Sequence, residues 1–122
     1  MSGITLDAGG LIALDRSDRR VLALIAQAEH RVTVPATALA QALRSPARQA
    51  RLSRLIRQPS TDLAALDGLD ATRVGILLAS SQTSDIADAH VVICARRARQ
   101  AVVTSDPRDL RRLDPNLELV VI

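Results

Sequence analysis

Hydrophobic residues along this chain follow two different spacings. Short continuous apolar runs bounded by polar, proline or glycine residues predict buried β-strands, whereas apolar residues repeating at i, i+3, i+4 and i+7 predict amphipathic helices. Runs of the first kind predict five strands, at 4–6, 32–34, 61–64, 101–104 and 117–122. The third of these strands is the weakest prediction.

Helical spacing occupies the segments between these runs. After Asp18, for example, apolar side chains at 21, 24, 25 and 28 form the single buried stripe of a helix. The predicted helices cover 17–28, 36–44, 47–57, about 69–80, 86–99 and 106–113, and an apolar turn lies at 11–14. Strands that alternate with helices predict a parallel sheet of about 4–5 strands with helices on both faces. We therefore expect one three-layer α/β domain spanning residues 1–122.

Composition excludes several classes of function. The chain has one cysteine, Cys94, and two histidines, which rules out an internal disulfide and argues against a Cys/His zinc site. It has no aromatic residue, so it cannot stack bases on aromatic rings, and no lysine, so it cannot form a Walker A loop. The sequence shows no signal peptide and no apolar run of membrane-spanning length, so we expect a soluble cytoplasmic protein.

The positive charge is concentrated in one segment. The formal net charge is +3, and all 16 basic residues are arginines. Five of them occur without an intervening acid: Arg44, Arg48, Arg51, Arg54 and Arg57. Such a segment favours a polyanionic partner. A solvated helix face explains the same pattern, and the sequence leaves both interpretations open.

Acidic residues follow the predicted strand ends. Asp7 comes directly after the first strand, Asp106 lies two residues beyond Thr104, and Asp88 falls in the first turn of the helix that begins near Ile86. Ligands of parallel α/β sheets gather at the carboxyl ends of strands, so these aspartates converge if the first and penultimate strands are neighbours. Each of them also fits a simpler role at a helix N-terminus.

Several aspartates at one sheet edge require compensation. Two carboxylates about 4 Å apart repel each other by roughly 4 kcal/mol at an effective dielectric constant of about 20. Carboxylate oxygens without nearby cysteine or histidine suit Mg²⁺ or Mn²⁺. Such an ion activates water and stabilises phosphate oxygens during phosphodiester cleavage. An acidic metal site beside an arginine-rich segment is therefore a plausible arrangement for a nuclease.

Three segments of the chain resemble the motifs of a PIN domain. Residues 6–14, LDAGGLIAL, look like its opening motif, and residues 88–95, DAHVVICA, resemble its third acidic motif. Residues 102–110, VVTSDPRDL, resemble its closing strand–Thr–x–Asp motif. The order, spacing and total length of these segments are similar to those of a small VapC-type toxin from a bacterial toxin–antitoxin pair.

This resemblance implies a PIN-like fold and a cytoplasmic, Mg²⁺- or Mn²⁺-dependent endoribonuclease that cleaves structured RNA such as transfer or ribosomal RNA. It also implies two protein partners, a small inhibitory antitoxin and a second copy in a homodimer. By motif match, Asp7 and Asp88 are the principal metal ligands and Asp106 completes the acidic cluster. Asp109, Thr104 and Gln41 are candidate supporting residues.

The chain departs from the family pattern at two places. Gln41 stands where the family has a glutamate after a segment like 34–40, and Ala8–Gly9 replaces a small hydroxyl residue after the first acid. These departures support an alternative function, a PIN-like domain with weakened or lost catalysis that acts as an RNA- or protein-binding regulatory module. Under either function, three arginines are candidates for gripping RNA or docking the antitoxin: Arg48, Arg51 and Arg54.

Two other functions fit the sequence less well. A receiver-like phosphoacceptor also places aspartates at strand ends, but it needs a lysine that this chain lacks. A dinucleotide-binding enzyme needs a G-x-G-x-x-G turn, which Gly9–Gly10 does not supply. His90 and Cys94 are predicted to be structural residues.

Overall fold

A parallel five-stranded sheet forms the centre of the molecule, with strand order β3-β2-β1-β4-β5. The computed structural model describes residues 3–122. The strands are β1 (Ile4–Leu6), β2 (Val32–Pro35), β3 (Thr61–Ala64), β4 (Ala101–Thr104) and β5 (Leu119–Val121). The helices are α1 (Ala8–Asp15), α2 (Arg19–Gln27), α3 (Ala36–Ala42), α4 (Ala50–Ile56), α5 (Gly68–Ser81), α6 (Ile86–Ala98) and α7 (Pro107–Leu113). The predicted fold class is confirmed.

The centre of the sheet is the pair formed by β1 and β4. Ile4 aligns with Ala101 and Leu6 aligns with Val103, so the two strands end at the same level. Neither Ile4 nor Leu6 is exposed to solvent. Because parallel neighbours present their carboxyl ends at one edge, the residues that follow β1 and β4 meet there. The first and penultimate strands are therefore neighbours, which is the condition on which the predicted convergence of aspartates depends.

The hydrophobic core is built entirely from aliphatic side chains, since the sequence has no aromatic residue. Helix α6 packs on β1 and β2, and helix α1 packs on β4. The apolar residues at 11–14, predicted as a turn, lie inside α1, and Leu11 and Leu14 of this helix are buried. None of the helices described here combines the length and the apolar character needed to cross a bilayer.

Two predicted helices in the arginine-rich segment are shorter than expected. Helix α3 ends at Ala42 rather than at Arg44, and α4 begins at Ala50 rather than at 47. Arg48 therefore lies in the turn between the two helices, and the prediction that placed it on a helix is wrong.

The side chain of Gln49 explains this early break. Its Oε1 accepts hydrogen bonds from the backbone N–H groups of Arg44 (2.8 Å) and Ser45 (3.0 Å). Its Nε2 donates to the carbonyl oxygen of Ala42 at 3.0 Å. These bonds satisfy backbone groups that a continuing helix would otherwise pair, so the chain leaves the helix without exposing them.

Candidate acidic site

Asp7 is held firmly at the junction of β1 and α1. It is the N-cap of α1, where its Oδ1 accepts a hydrogen bond from the N–H of Gly10 at 2.8 Å. Only 7% of the residue is exposed. Burial raises the pKa of Asp7, although hydrogen bonds from Thr104, Gly10 and Gly9 act against it; the charge of Asp106 raises it further. Asp7 thus caps α1 and at the same time lies buried within reach of the charge of Asp106.

Glycines in the first turn of α1 let this helix approach β4 closely. A Cβ atom on Gly10 would lie 2.8 Å from the carbonyl oxygen of Val103, and one on Gly9 would overlap the hydroxyl of Ser105. The absence of side chains at both positions therefore brings Asp7 against the end of β4. It also places the Ser105 hydroxyl beside Gly9.

Thr104 and Asp106 lie at the end of β4. Thr104 is fully buried, and its Oγ1 accepts a hydrogen bond from the N–H of Asp106 at 3.0 Å. Asp106 occupies the N-cap position of α7, but within residues 3–122 its side chain accepts no capping hydrogen bond. Pro107, which follows, has no N–H to offer. Asp106 therefore occupies the N-cap position without a capping hydrogen bond from its side chain, and its carboxylate remains available at the sheet edge.

Asp88 joins this group from α6. It lies in the first turn of the helix, and its N–H donates to the capping Oδ1 of Asp85 at 2.9 Å. The pKa of Asp88 is raised to about 6, chiefly because the half-buried carboxylate is desolvated. Four neighbouring charges raise it further, those of Asp85, Asp109, Asp7 and Asp106. The aspartates predicted to converge therefore do so, and Asp85 joins them.

We call these five residues the acid cluster: Asp7, Asp85, Asp88, Asp106 and Asp109. Among the described residues, ion pairs are formed by other acids, and none involves a member of the cluster. The cluster therefore carries negative charge that no cationic side chain compensates by direct contact. Its ligand atoms are all carboxylate oxygens, which is the donor set that Mg²⁺ and Mn²⁺ prefer. The chemistry of this donor set suits a hard divalent cation, but among the described residues the group whose ligand atoms all lie within 4.8 Å of one another is Asp70, His90 and Cys94, outside the cluster.

Two clefts open at the acid cluster. One, of about 280 Å³, is lined by Asp85, Asp88, Asp109 and Arg112 together with the polar residues 82–84. The other, of about 520 Å³, is lined by Asp106 and Asp109 with Arg108 and Arg111 of α7. Both clefts therefore combine cluster carboxylates with guanidinium groups of the same helix.

Four predicted residues, Gln41, Arg48, Arg51 and Arg54, do not line these two clefts. Gln41 is exposed in the last turn of α3, a helix that packs on α1 and α6. Arg51 and Arg54 line a separate groove with apolar residues such as Leu22 and Leu55, and no cluster aspartate lines this groove. The structure thus brings together Asp7, Asp88, Asp106, Asp109 and Thr104, and it separates the α4 arginines from them.

A buried polar network formed by Asp70, His90, Arg97 and Thr37 was not predicted. Asp70, only 2% exposed, accepts hydrogen bonds from both terminal nitrogens of Arg97, at 2.7 and 3.1 Å. Its Oδ2 lies 3.2 Å from Nε2 of His90, whose Nδ1 lies 2.9 Å from the hydroxyl of Thr37. The pKa of Asp70 is lowered to about 2, chiefly by hydrogen bonding from Arg97. Because Asp70 is ionised and can only accept, Nε2 of His90 donates to it.

This network joins three helices and is poorly suited to a metal. Ligand atoms of Asp70, His90 and Cys94 lie within 4.8 Å of one another, which is close enough for a shared ion. However, Arg97 already occupies the Asp70 oxygens, and burial raises the pKa of the Cys94 thiol to about 11, so it stays protonated. His90 and Cys94 are buried structural residues, as predicted. In the sequence, Asp70 looks like an ordinary acid in the first turn of a helix. Nothing in the sequence indicates that it pairs with Arg97, 27 residues later.

Comparisons with known proteins support the architecture alone. The sequence matches no protein-family model and no curated protein. Among solved structures, the crystal structure of FitAcB from Neisseria gonorrhoeae matches with a TM-score of 0.61 over 95% of each chain, at 16% sequence identity. The fold is PIN-like. At this level of identity the likeness concerns the fold, so the chemistry of the PIN-like domain must be inferred from its own residues.

Proposed function

We propose that this protein is a metal-dependent endoribonuclease and the toxin of a toxin–antitoxin pair. The observation that carries the proposal is the convergence of Asp7, Asp88 and Asp106 at the carboxyl edge of a PIN-like sheet. The three motifs that resemble a PIN domain contain these same aspartates. A fold shared with FitAcB is consistent with the proposal.

Three aspartates would hold Mg²⁺ or Mn²⁺ in this proposal: Asp7, Asp88 and Asp106. When bound there, the cation would supply an activated water and neutralise charge on the phosphate being cleaved. Asp109 and Thr104 would support the ligands, and Gln41 is a further candidate that could offer an amide oxygen.

The chain's own contribution is to orient the ligands and exclude water from part of the site. The N–H of Gly10 and the hydroxyl of Thr104 fix the carboxylate of Asp7 before any ligand binds. Burial of Asp7 and partial burial of Asp88 lower the local dielectric constant, which strengthens their attraction for a cation. The rise in the pKa of Asp88 is the energetic cost that a bound cation would relieve.

Partners and setting follow from the resemblance and belong to the same proposal. The protein would be a single PIN domain over residues 1–122, acting on RNA in the cytoplasm, inhibited by an antitoxin protein and paired as a homodimer. Gln41 supports a second candidate function. Because an amide brings no negative charge to the site, a PIN-like domain with weakened catalysis that acts as a binding module is the alternative.

The decisive test is cleavage of total bacterial RNA by the purified protein, freed of any antitoxin, with Mg²⁺ or Mn²⁺. Asp7→Asn removes a proposed ligand, and Asp15→Asn is the matched control, since Asp15 lies at the far end of α1 outside the acid cluster. We expect discrete fragments from the wild type and the control, and none from Asp7→Asn or with EDTA. A folded wild type that cuts nothing with either metal would favour the binding module. Protein must be quantified without absorbance at 280 nm, because the chain has no tryptophan or tyrosine.

A further inference from the structure

Helix α7 presents a compact basic surface directly beside the acid cluster. We propose that Arg108, Arg111 and Arg112, which we call the α7 arginines, bind the phosphate backbone of the RNA strand next to the bond that is cut. This inference deepens the proposed nuclease function and rests on it. It differs from the sequence-based expectation, which offered the arginines at 48, 51 and 54 as candidates for binding RNA or the antitoxin.

The packing of α7 sends these three side chains outward. Leu110 and Leu113 are buried and attach the helix to the core, whereas all three α7 arginines are exposed. The helix begins immediately after Asp106, so a short α7 keeps its guanidinium groups near the end of β4. Burial of two leucines on one side therefore determines which side of the helix carries the positive charge.

The α7 arginines line the same clefts as the proposed metal ligands. Arg112 lines the cleft that contains Asp88, and Arg108 with Arg111 lines the cleft that contains Asp106. Every α7 arginine thus shares a cleft with a proposed metal ligand. A strand whose phosphate reaches the acid cluster would carry its neighbouring phosphates past these guanidinium groups.

The α7 arginines are also uncommitted. Within residues 3–122, none of them forms an ion pair, whereas Arg96 is bound to Asp114 at 2.9 Å and Arg97 to Asp70 at 2.7 Å. Arg96 and Arg97 are therefore committed to the fold, whereas the α7 arginines, like the α4 arginines at 51, 54 and 57, form no ion pair among the described residues. Guanidinium groups bind phosphate oxygens in a bidentate manner, which suits them to an RNA backbone.

The composition indicates that the protein binds RNA mainly through the phosphate backbone of the RNA. The chain has no phenylalanine, tyrosine or tryptophan and His90 is buried, which leaves His30 as the exposed ring, so we expect affinity to come largely from arginine–phosphate contacts. Such contacts release counterions, and the logarithm of the affinity for a single strand falls with the logarithm of salt concentration by about 0.7 per phosphate contact. The slope of log affinity against log salt concentration therefore measures how many phosphate contacts a set of arginines makes.

The experiment compares two triple variants with equal charge changes. One is Arg108→Gln, Arg111→Gln and Arg112→Gln; its matched control is Arg51→Gln, Arg54→Gln and Arg57→Gln on the exposed arginines of α4. Both are made in an Asp88→Asn background to prevent cleavage. Binding of a fluorescently labelled single-stranded RNA of mixed sequence is measured by anisotropy with Mg²⁺ over a range of salt concentrations.

We expect the α7 variant to bind roughly tenfold or more weakly at low salt, with a slope reduced by about 2, and the α4 variant to bind like its parent. Replacing the same three α7 residues by lysine should retain most of the slope, which separates loss of charge from loss of folding. A glutamine variant of α7 that binds RNA like its parent would overturn the inference, as would an effect confined to the α4 variant. After either outcome, the α7 arginines would be assigned to contacts with a protein partner instead of RNA.

Failure of the two proposals can be told apart. If the wild type cuts RNA but the salt slope does not depend on α7, only the RNA-binding surface is wrong. If the wild type binds RNA through α7 but never cuts it, the surface stands and the catalytic proposal fails.

Discussion

At the scale of single residues, Asp88 shows a conflict between stability and chemistry. Its folded-state pKa of about 6 lies above the ordinary value of 3.8, so the ionised carboxylate is disfavoured in the folded protein. A group with a raised folded pKa contributes stability below its unfolded pKa and loses that contribution as pH rises through the folded pKa. Without divalent cations, the free energy of unfolding should therefore fall between about pH 4 and pH 7.

Asp88→Asn should remove this loss. We expect the variant to be more stable than the wild type by about 1–2 kcal/mol at pH 7 in EDTA, because desolvation and four like charges no longer act on an ionised group. Urea unfolding at several pH values measures this, with Asp15→Asn as the control. Added Mn²⁺ should raise the stability of the wild type and have a smaller effect on Asp88→Asn. Equal stability of wild type and variant in EDTA at all pH values would contradict the prediction.

At the scale of elements, the contact between α1 and β4 determines how close Asp7 comes to Thr104. Gly10→Ala would place a Cβ atom 2.8 Å from the carbonyl oxygen of Val103, in a fully buried strand that has little room to move. We expect a loss of about 1–3 kcal/mol of stability together with reduced cleavage, since shifting α1 also moves Asp7.

Gly75→Ala is the matched control, because its Cβ would meet no atom within 4 Å. In the exposed interior of α5 this control should stabilise the protein by about 0.5–1 kcal/mol. Thermal melting of both variants measures the two effects, and a neutral Gly10→Ala would show that α1 can move away freely.

At the scale of the whole molecule, the parts that could be predicted from the sequence are those that depend on local pattern. Alternating strand and helix spacing suffices for a parallel sheet, and aspartates at the carboxyl ends of neighbouring strands must meet whatever the packing details. The early break between α3 and α4 could not be predicted, because it depends on where the Gln49 side chain reaches. Contacts between residues distant in sequence, such as Asp70 with Arg97, leave no periodic signal at either residue. The relation of the arginines to the acid cluster was missed for the same reason: density along the sequence favours the segment 44–57, whereas the folded chain brings α7 to the site.

The Asp70 network acts at this scale too, because it connects α3, α5 and α6. The pKa of Asp70 is lowered to about 2, so its contribution to stability is present above its ordinary value of 3.8 and is lost as pH falls from about 4 towards 2. This contribution is about 2 kcal/mol, and Asp70→Asn should abolish it, leaving a protein that is less stable at pH 7 and less sensitive to acid over that interval. Chemical denaturation between pH 2 and 7 measures the change, and Asp15→Asn should retain the acid sensitivity of the wild type. We expect Asp70→Asn to lower the free energy of unfolding at neutral pH and Asp88→Asn to raise it. One buried aspartate is compensated and holds helices together, whereas the other is left uncompensated at the proposed metal site, so equal effects of the two substitutions would refute this division of roles.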